Sequence, residues 1–338
     1  MSNILKTLKA ELYRSYRKLT IEDNRSPFFI SYLYRNTFDT TIWGKYGDLF
    51  EANSNNNSGI YAEVRIGSHE FDNTISGGLY KNATSDDSYS WIPSPLGNSS
   101  DGLKHTLWRL TDCKYKEALM EYYQKKSQMI KEVLIHKGKL DFSIEKPSVS
   151  KEKLPELKLP VKEWKNLVKK HSGKLKKYKE VNNSFISINA RDVHKYYVNT
   201  EGSEINSKET NIGIRIVVQG LAEDGMLVER DWNDIFINLE EFPREDFIEK
   251  KIETLISELC ELKKAEVLKP YVGPAILFPS ASGIFFHEAI GHRLEGERLL
   301  SPGEGQTFKG KIGTRILPEF ITIHDDPLMK EFNGQSLL

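Results

Sequence analysis

Ser184–Ala190, SFISINA, and Ile212–Val218, IGIRIVV, decide the fold class. In the first, Ile186 and Ile188 alternate with Phe185, Ser187 and Asn189; the second is almost wholly β-branched, and such residues fit a pleated, half-buried surface. The pattern predicts a meander or antiparallel sheet over Ser184–Phe236. Downstream, Phe247, Ile248, Ile252, Leu255, Ile256, Leu259 and Leu262 fall on one side of a helix within Pro243–Val267. Upstream, Leu103, Leu107, Leu110, Ala118, Leu119, Tyr122, Met129, Ile130 and Val133 fit one long helix or two shorter ones ending near Gly138. At the start, Ser2 can cap a helix carrying Ile4, Leu5, Leu8, Leu12, Tyr16 and Leu19. Pro27–Tyr34 and Ile60–Ile66 read as strands, and Asn53–Gly59 and Asn82–Asp101 as turn-rich stretches. The fold class is α+β, with an N-terminal helix-and-sheet region and a central, mainly antiparallel sheet region. The expected divisions are 1–100, 101–240 and 241–338.

Composition narrows the function classes. The 338 residues hold 48 Lys+Arg against 48 Asp+Glu, with a pI near 7.1, so no global charge favours nucleic acid or an anionic membrane. No apolar run reaches 18 residues, and Lys6, Lys9, Glu11 and Arg14 interrupt the N-terminus. Two cysteines, Cys113 and Cys260, fit a reducing compartment and buried structural roles. The expectation is a cytoplasmic protein, in which the sequons at Asn56, Asn82, Asn98 and Asn182 are chance matches. Lys151–Glu180 holds eleven lysines against four glutamates. A nucleic-acid groove is one reading; a solvated helical face is favoured, because arginines and clustered aromatics are absent.

The chemistry concentrates in Tyr271–Leu300, YVGPAILFPSASGIFFHEAIGHRLEGERLL. The apolar run Pro274–Phe278 reads as a buried strand that Pro279 ends, after which Ser280 or Ser282 caps a helix. That helix carries His287, Glu288 and His292, two imidazoles suited to zinc and a carboxylate able to take a proton from water. The spacing differs from the familiar H-E-x-x-H. Histidines at i and i+5 are turned about 500° along an ideal helix, leaving them roughly 140° apart. A π-bulge or helix break at Ala289–Gly291, eased by the glycine, would bring them into line. On spacing alone, two unrelated histidines fit as well. Glu295, three residues after His292, is either a third ligand or a residue that orients a histidine or caps the turn into Gly296. His324, Asp325 and Asp326 follow the strand-like Ile321–Ile323 and are read as a turn before Pro327, with metal ligation the less favoured alternative. Gly305–Ile312, GQTFKGKI, nearly matches a phosphate-binding loop, but Ile312 has no hydroxyl and Thr314–Ile323 reads as strand rather than helix.

HEAIGHRLEGE resembles the TldD/PmbA family, whose catalytic members carry H-E-x-x-x-H and a following L-E-G. AELYRSYRKL and YAEVRIG look like the family's first domain; GPAILFPSASGIFFHEAIGH and FKGKIGTRILPEFITIHDDP look like the start of its β-rich C-terminal metalloprotease domain. The resemblance covers nearly the whole chain. It implies a zinc-dependent peptidase acting on short or unfolded peptides, with His287 and His292 as ligands and Glu288 as general base. It further implies a dimer, with itself or a paralogous subunit, enclosing the site; the loop Pro302–Gly313 would border the peptide cleft or that partner. In the family a cysteine well downstream completes the metal site. Cys113 and Cys260 do not match it, so that ligand is expected beyond Leu338 and the chain looks truncated. The alternatives are a noncatalytic binding or regulatory subunit contacting peptide or DNA, against which the intact HEAIGH argues, and an inactive fragment.

Overall fold

The computed structural model describes residues 3–74, 92–95, 100–132, 140–151, 157–299, 305–332 and 335–336. Ser2, Val133, Gly138, Pro302, most of Asn82–Asp101 and the side chains of Met129 and Ile130 lie outside the described residues.

Four long strands make the frame: β1 (Pro27–Lys45), β2 (Asp48–Ile66), β5 (Asn183–Asn199) and β6 (Glu204–Leu221). Three short segments, β3 (Ile92–Pro93), β4 (Val149–Lys151) and β7 (Leu227–Phe236), complete one sheet of order β3-β2-β1-β5-β6. Beyond β6, β4 pairs in parallel with Glu204–Asn206 and β7 antiparallel with Ile212–Leu221. The predicted meander is therefore β5-β6-β7. β1 and β2 meet through a two-residue turn, Tyr46 (φ 56°) and Gly47 (φ 90°), both left-handed as a tight hairpin with a primed turn requires.

The strands of the first hairpin are longer than the sequence reading allows. Asn53–Gly59, expected as a turn-rich stretch, is strand in β2 and pairs with Arg35–Thr41. Asn and Ser have little intrinsic strand preference, but a register fixed on both sides by apolar pairs carries them along.

Directly opposite residues share a face, so Ile42, Ile188 and Ile214 form one row across β1, β5 and β6. Two apolar cores sit on this face, one towards each end of the long strands. The first is closed by α1 (Asn3–Lys18) and α2 (Ser100–Glu132), which bring Leu5, Leu8, Leu12, Leu107 and Leu110 against Ile30, Tyr32 and Ile60. The second is closed by α3 (Val161–Leu175) and α4 (Glu245–Leu262), whose Trp164, Val168, Ile248, Ile252 and Leu259 cover the isoleucine row. Each fully buried side chain of this kind contributes about 2 kcal/mol. Between the cores the same face is polar: buried Asp192 accepts a hydrogen bond from Thr210 at 2.7 Å and lies 3.3 Å from both His194 and Lys208. Hydrogen bonding thus joins segments 1–100 and 101–240 in one sheet, and α4 of segment 241–338 packs on it.

The lysine-rich stretch is in part α3, with Trp164, Val168, His171 and Leu175 inward. Lys170 and Lys174 pair with Glu245 and Glu249 of α4. Both cysteines are half-buried rather than interior, since each sits at the margin of a helix's packed face. No described helix is long and apolar enough to cross a membrane.

Beyond α4 the described chain is largely exposed. Pro274–Phe278 is not a buried strand: it pairs with no described strand, and Ile276 is 91% exposed. Nor is Thr314–Ile323 a strand. In both, an apolar run without a neighbouring ladder has no acceptors for its backbone groups, and apolarity alone does not make a strand. β8 (Glu331–Phe332) and β9 (Gln335–Ser336) form a minimal pair.

Candidate metal centre

α5 (Pro279–Phe286) starts at Pro279, whose fixed φ suits the first helical position, after extended Phe278 (ψ 162°). Neither serine caps it; Ser282 Oγ instead donates to the Leu277 carbonyl at 3.3 Å. At His287 the winding changes. His287–Gly291 is a π-helical turn, and the His292 N–H donates back to the His287 carbonyl, closing the wider ring predicted from the i, i+5 spacing. A short α6 (His292–Leu294) follows and ends at Glu295, whose ψ of 121° is no longer helical.

The turn does what an ideal helix would not. The imidazoles of His287 and His292 stand with ring centroids 4.4 Å apart, inclined at 66°. Ligand atoms from His287, Glu288 and His292 all lie within 4.8 Å of one another. Glu288 is placed between the rings, Oε1 3.9 Å from His287 Nε2 and Oε2 3.8 Å from His292 Nε2. His287 and Glu288 are exposed and His292 is partly covered. The glycine is not what permits the turn. Gly291 has φ −51° and ψ −59°, open to any residue, and a Cβ there would meet nothing nearer than 3.8 Å.

Glu295 stands outside this group, with both oxygens engaged. Oε1 accepts a hydrogen bond from His292 Nδ1 at 2.6 Å, and Oε2 accepts one from Arg298 Nε at 3.1 Å. The His292 hydrogen bond, followed by that of Arg298, holds the Glu295 carboxyl below the usual glutamate range. Two imidazoles whose free nitrogens converge are a donor set that fits a divalent transition ion. Among the described residues, His324, Asp325, Asp326, Cys113 and Cys260 are not brought to this group. Asp326 accepts the Leu328 N–H at 3.0 Å and so forms the expected turn. Gly310, within the near-match to a phosphate loop, and Gly313, just after it, adopt positive φ in successive turns, and no described helix follows to receive an anion.

The family model described as the PmbA/TldA metallopeptidase C-terminal domain matches residues 271–337, the stretch that holds the π turn. A metalloprotease of Methanothermobacter thermautotrophicus is 31% identical over 148 residues, covering 41% of this chain and 30% of that protein. Residues 271–337 thus carry the C-terminal domain of the PmbA/TldA metallopeptidases. A second relative, a metalloprotease of Archaeoglobus fulgidus, is 33% identical over 90 residues, 26% of this chain and 20% of its own. The crystal structure of TldE from Thermococcus kodakarensis aligns at 9% identity and a TM-score of 0.43, over 77% of this chain and 47% of that one. These matches span less than a third of each metalloprotease's length and about half of the solved structure's.

Arg298 escaped the sequence reading, although its position three residues after Glu295 is the spacing of a helical ion pair. So did a groove of about 680 Å³ on the sheet face opposite the cores, lined by Asp39, Asn189, Arg191, Asn211 and Arg215 over Gly213. Polar residues at alternate strand positions look like an ordinary solvated face.

Proposed function

We propose that the chain carries the histidine motif of a zinc-dependent peptidase, with His287 and His292 as metal ligands and Glu288 as general base. The observation that supports this most is the π turn. It places residues five apart on one side of the helix and leaves a carboxylate between them. When bound, zinc supplies Lewis acidity towards water and a peptide carbonyl. Glu288, on the same side, takes the proton from the attacking water at a carboxylate oxygen and returns it to the departing amine. Glu295 orients His292 through Nδ1 rather than serving as a ligand, because its oxygens already have partners. The substrate is an extended peptide or unfolded segment held by backbone pairing at a sheet edge, which tolerates varied sequence. The working form is a cytoplasmic dimer, of this chain with itself or with a paralogous subunit, without nucleic acid or membrane.

Zinc titration of the purified chain, paired with hydrolysis of a quenched-fluorescence peptide library, tests the reading. Glu288→Gln is expected to keep zinc and lose hydrolysis, and His292→Ala to lose both. Stoichiometric zinc without hydrolysis in the unaltered chain would favour the noncatalytic reading, and no zinc uptake would overturn the metal reading.

A further inference from the structure

His287 and His292 are not held alike. The His287 imidazole has no hydrogen-bond partner among the described residues, its Nε2 lying 3.9 Å from Glu288. His292 is held from behind: Nδ1 bonds to Glu295 Oε1, and Oε2 of the same carboxylate bonds to Arg298. The carbonyl of Arg298 in turn accepts a hydrogen bond from Gln306 Nε2 at 3.3 Å, tying this residue to the following loop.

The chain of contacts has a chemical consequence. A neutral imidazole carries one proton and offers the other nitrogen, and a carboxylate on Nδ1 fixes the proton there, leaving Nε2 to face Glu288 and His287. That carboxylate is on a flexible, half-exposed glutamate, free to turn outward or to swing in and compete as a ligand unless something holds it. A guanidinium on its second oxygen removes both options. We propose that Arg298 is a positioning residue: by engaging Glu295 it keeps that carboxylate on His292 Nδ1, and so presents Nε2 to a divalent cation and makes His292 the better-organised of the two ligands. This rests on the metal reading of His287 and His292, but its geometric half can be measured without metal.

The experiment uses the full chain at pH 8. Long-range proton–nitrogen correlation spectra report which nitrogen of His292 carries the proton, and competition with a chromophoric chelator reports zinc affinity. The unaltered chain is expected to show His292 protonated at Nδ1. Arg298→Met is expected to give a mixture of tautomers and about tenfold weaker zinc binding, the lower end of what loss of an outer partner costs. Arg298→Lys should restore part of both, and Glu295→Gln with Arg298→Met should bind no more weakly than Glu295→Gln alone, since Arg298 acts through Glu295. An unchanged tautomer and unchanged affinity in Arg298→Met would overturn the proposal. A tautomer that depends on Arg298 in a chain that takes up no zinc would support the positioning role while sinking the metal reading.

Discussion

Shortening the π turn by one residue tests whether alignment is its purpose. Deleting Ala289 turns H-E-A-I-G-H into H-E-I-G-H, in which the histidines stand four apart. On a regular helix that is a rotation of about 400°, leaving the rings roughly 40° apart on one face, with Cβ atoms about 5–6 Å apart. The wild-type turn reaches the same end by a different winding, with ring centroids at 4.4 Å. His292, Glu295 and Arg298 all lie after the deletion, so their mutual contacts survive it. Zinc affinity is therefore expected to stay within about tenfold, 1.4 kcal/mol, of the unaltered chain. Inserting one alanine after Ala289 is the contrast. Six residues turn about 600°, placing the rings some 120° apart, and one imidazole is lost. If the ~10–16 kcal/mol of a four-donor zinc site is shared evenly, one donor is worth about 3 kcal/mol, or some hundredfold in affinity. Chelator competition on the three proteins reads both numbers. Tight binding by the insertion, or loss of binding by the deletion, would refute the claim that the π turn exists to align the ligands.

Three other outcomes follow from the structure. Gly291→Ala fits the observed backbone and space, so zinc affinity should change by less than about threefold while local helix stability rises by up to ~1 kcal/mol; a large loss of binding would show that the glycine has a role beyond its backbone. Lys125 bridges Asp141 and buried Asp72, which also holds Arg65 at 2.6 Å, so Lys125→Met removes a cation shared by two carboxylates and should cost about 3 kcal/mol in urea unfolding. The Lys9 hydrogen bond holds Glu204 below its usual 4.5, so its contribution to folding is complete above that pH and fades as pH falls through the lowered value; Lys9→Met should flatten the acid limb of a stability–pH profile.

Legibility in the sequence followed the strength of local periodicity. α4 and the β5-β6-β7 meander were readable because one face of each is buried, and the i, i+5 spacing was enough to expect the π turn from helix geometry. β2 was only half readable: Asn53–Ser58 becomes strand through its partners on β1, information held elsewhere in the chain. Pro274–Phe278 failed the opposite way, since its apolar run implies a neighbouring ladder that the described residues do not provide. In the candidate site, the two histidines and Glu288 were visible as residue types. The choice for Glu295 between ligand and orienting partner was not, because it depends on where Arg298 places its guanidinium.

The register of the long strands also sets the order in which the protein can assemble. β1 and β2 are joined by two residues, and β5, β6 and β7 by short turns, so both units zip from neighbouring contacts with little loop entropy lost. The join between them, from Ser31 with Asn199 to Gly44 with Ile186, closes a loop that contains α2 and α3. That join is the non-local step of the topology and the one expected to limit the folding rate. Substitutions such as Tyr34 or Ile188 to alanine, on either side of it, should slow refolding, whereas changes at the far edge of β7 should act mainly on unfolding.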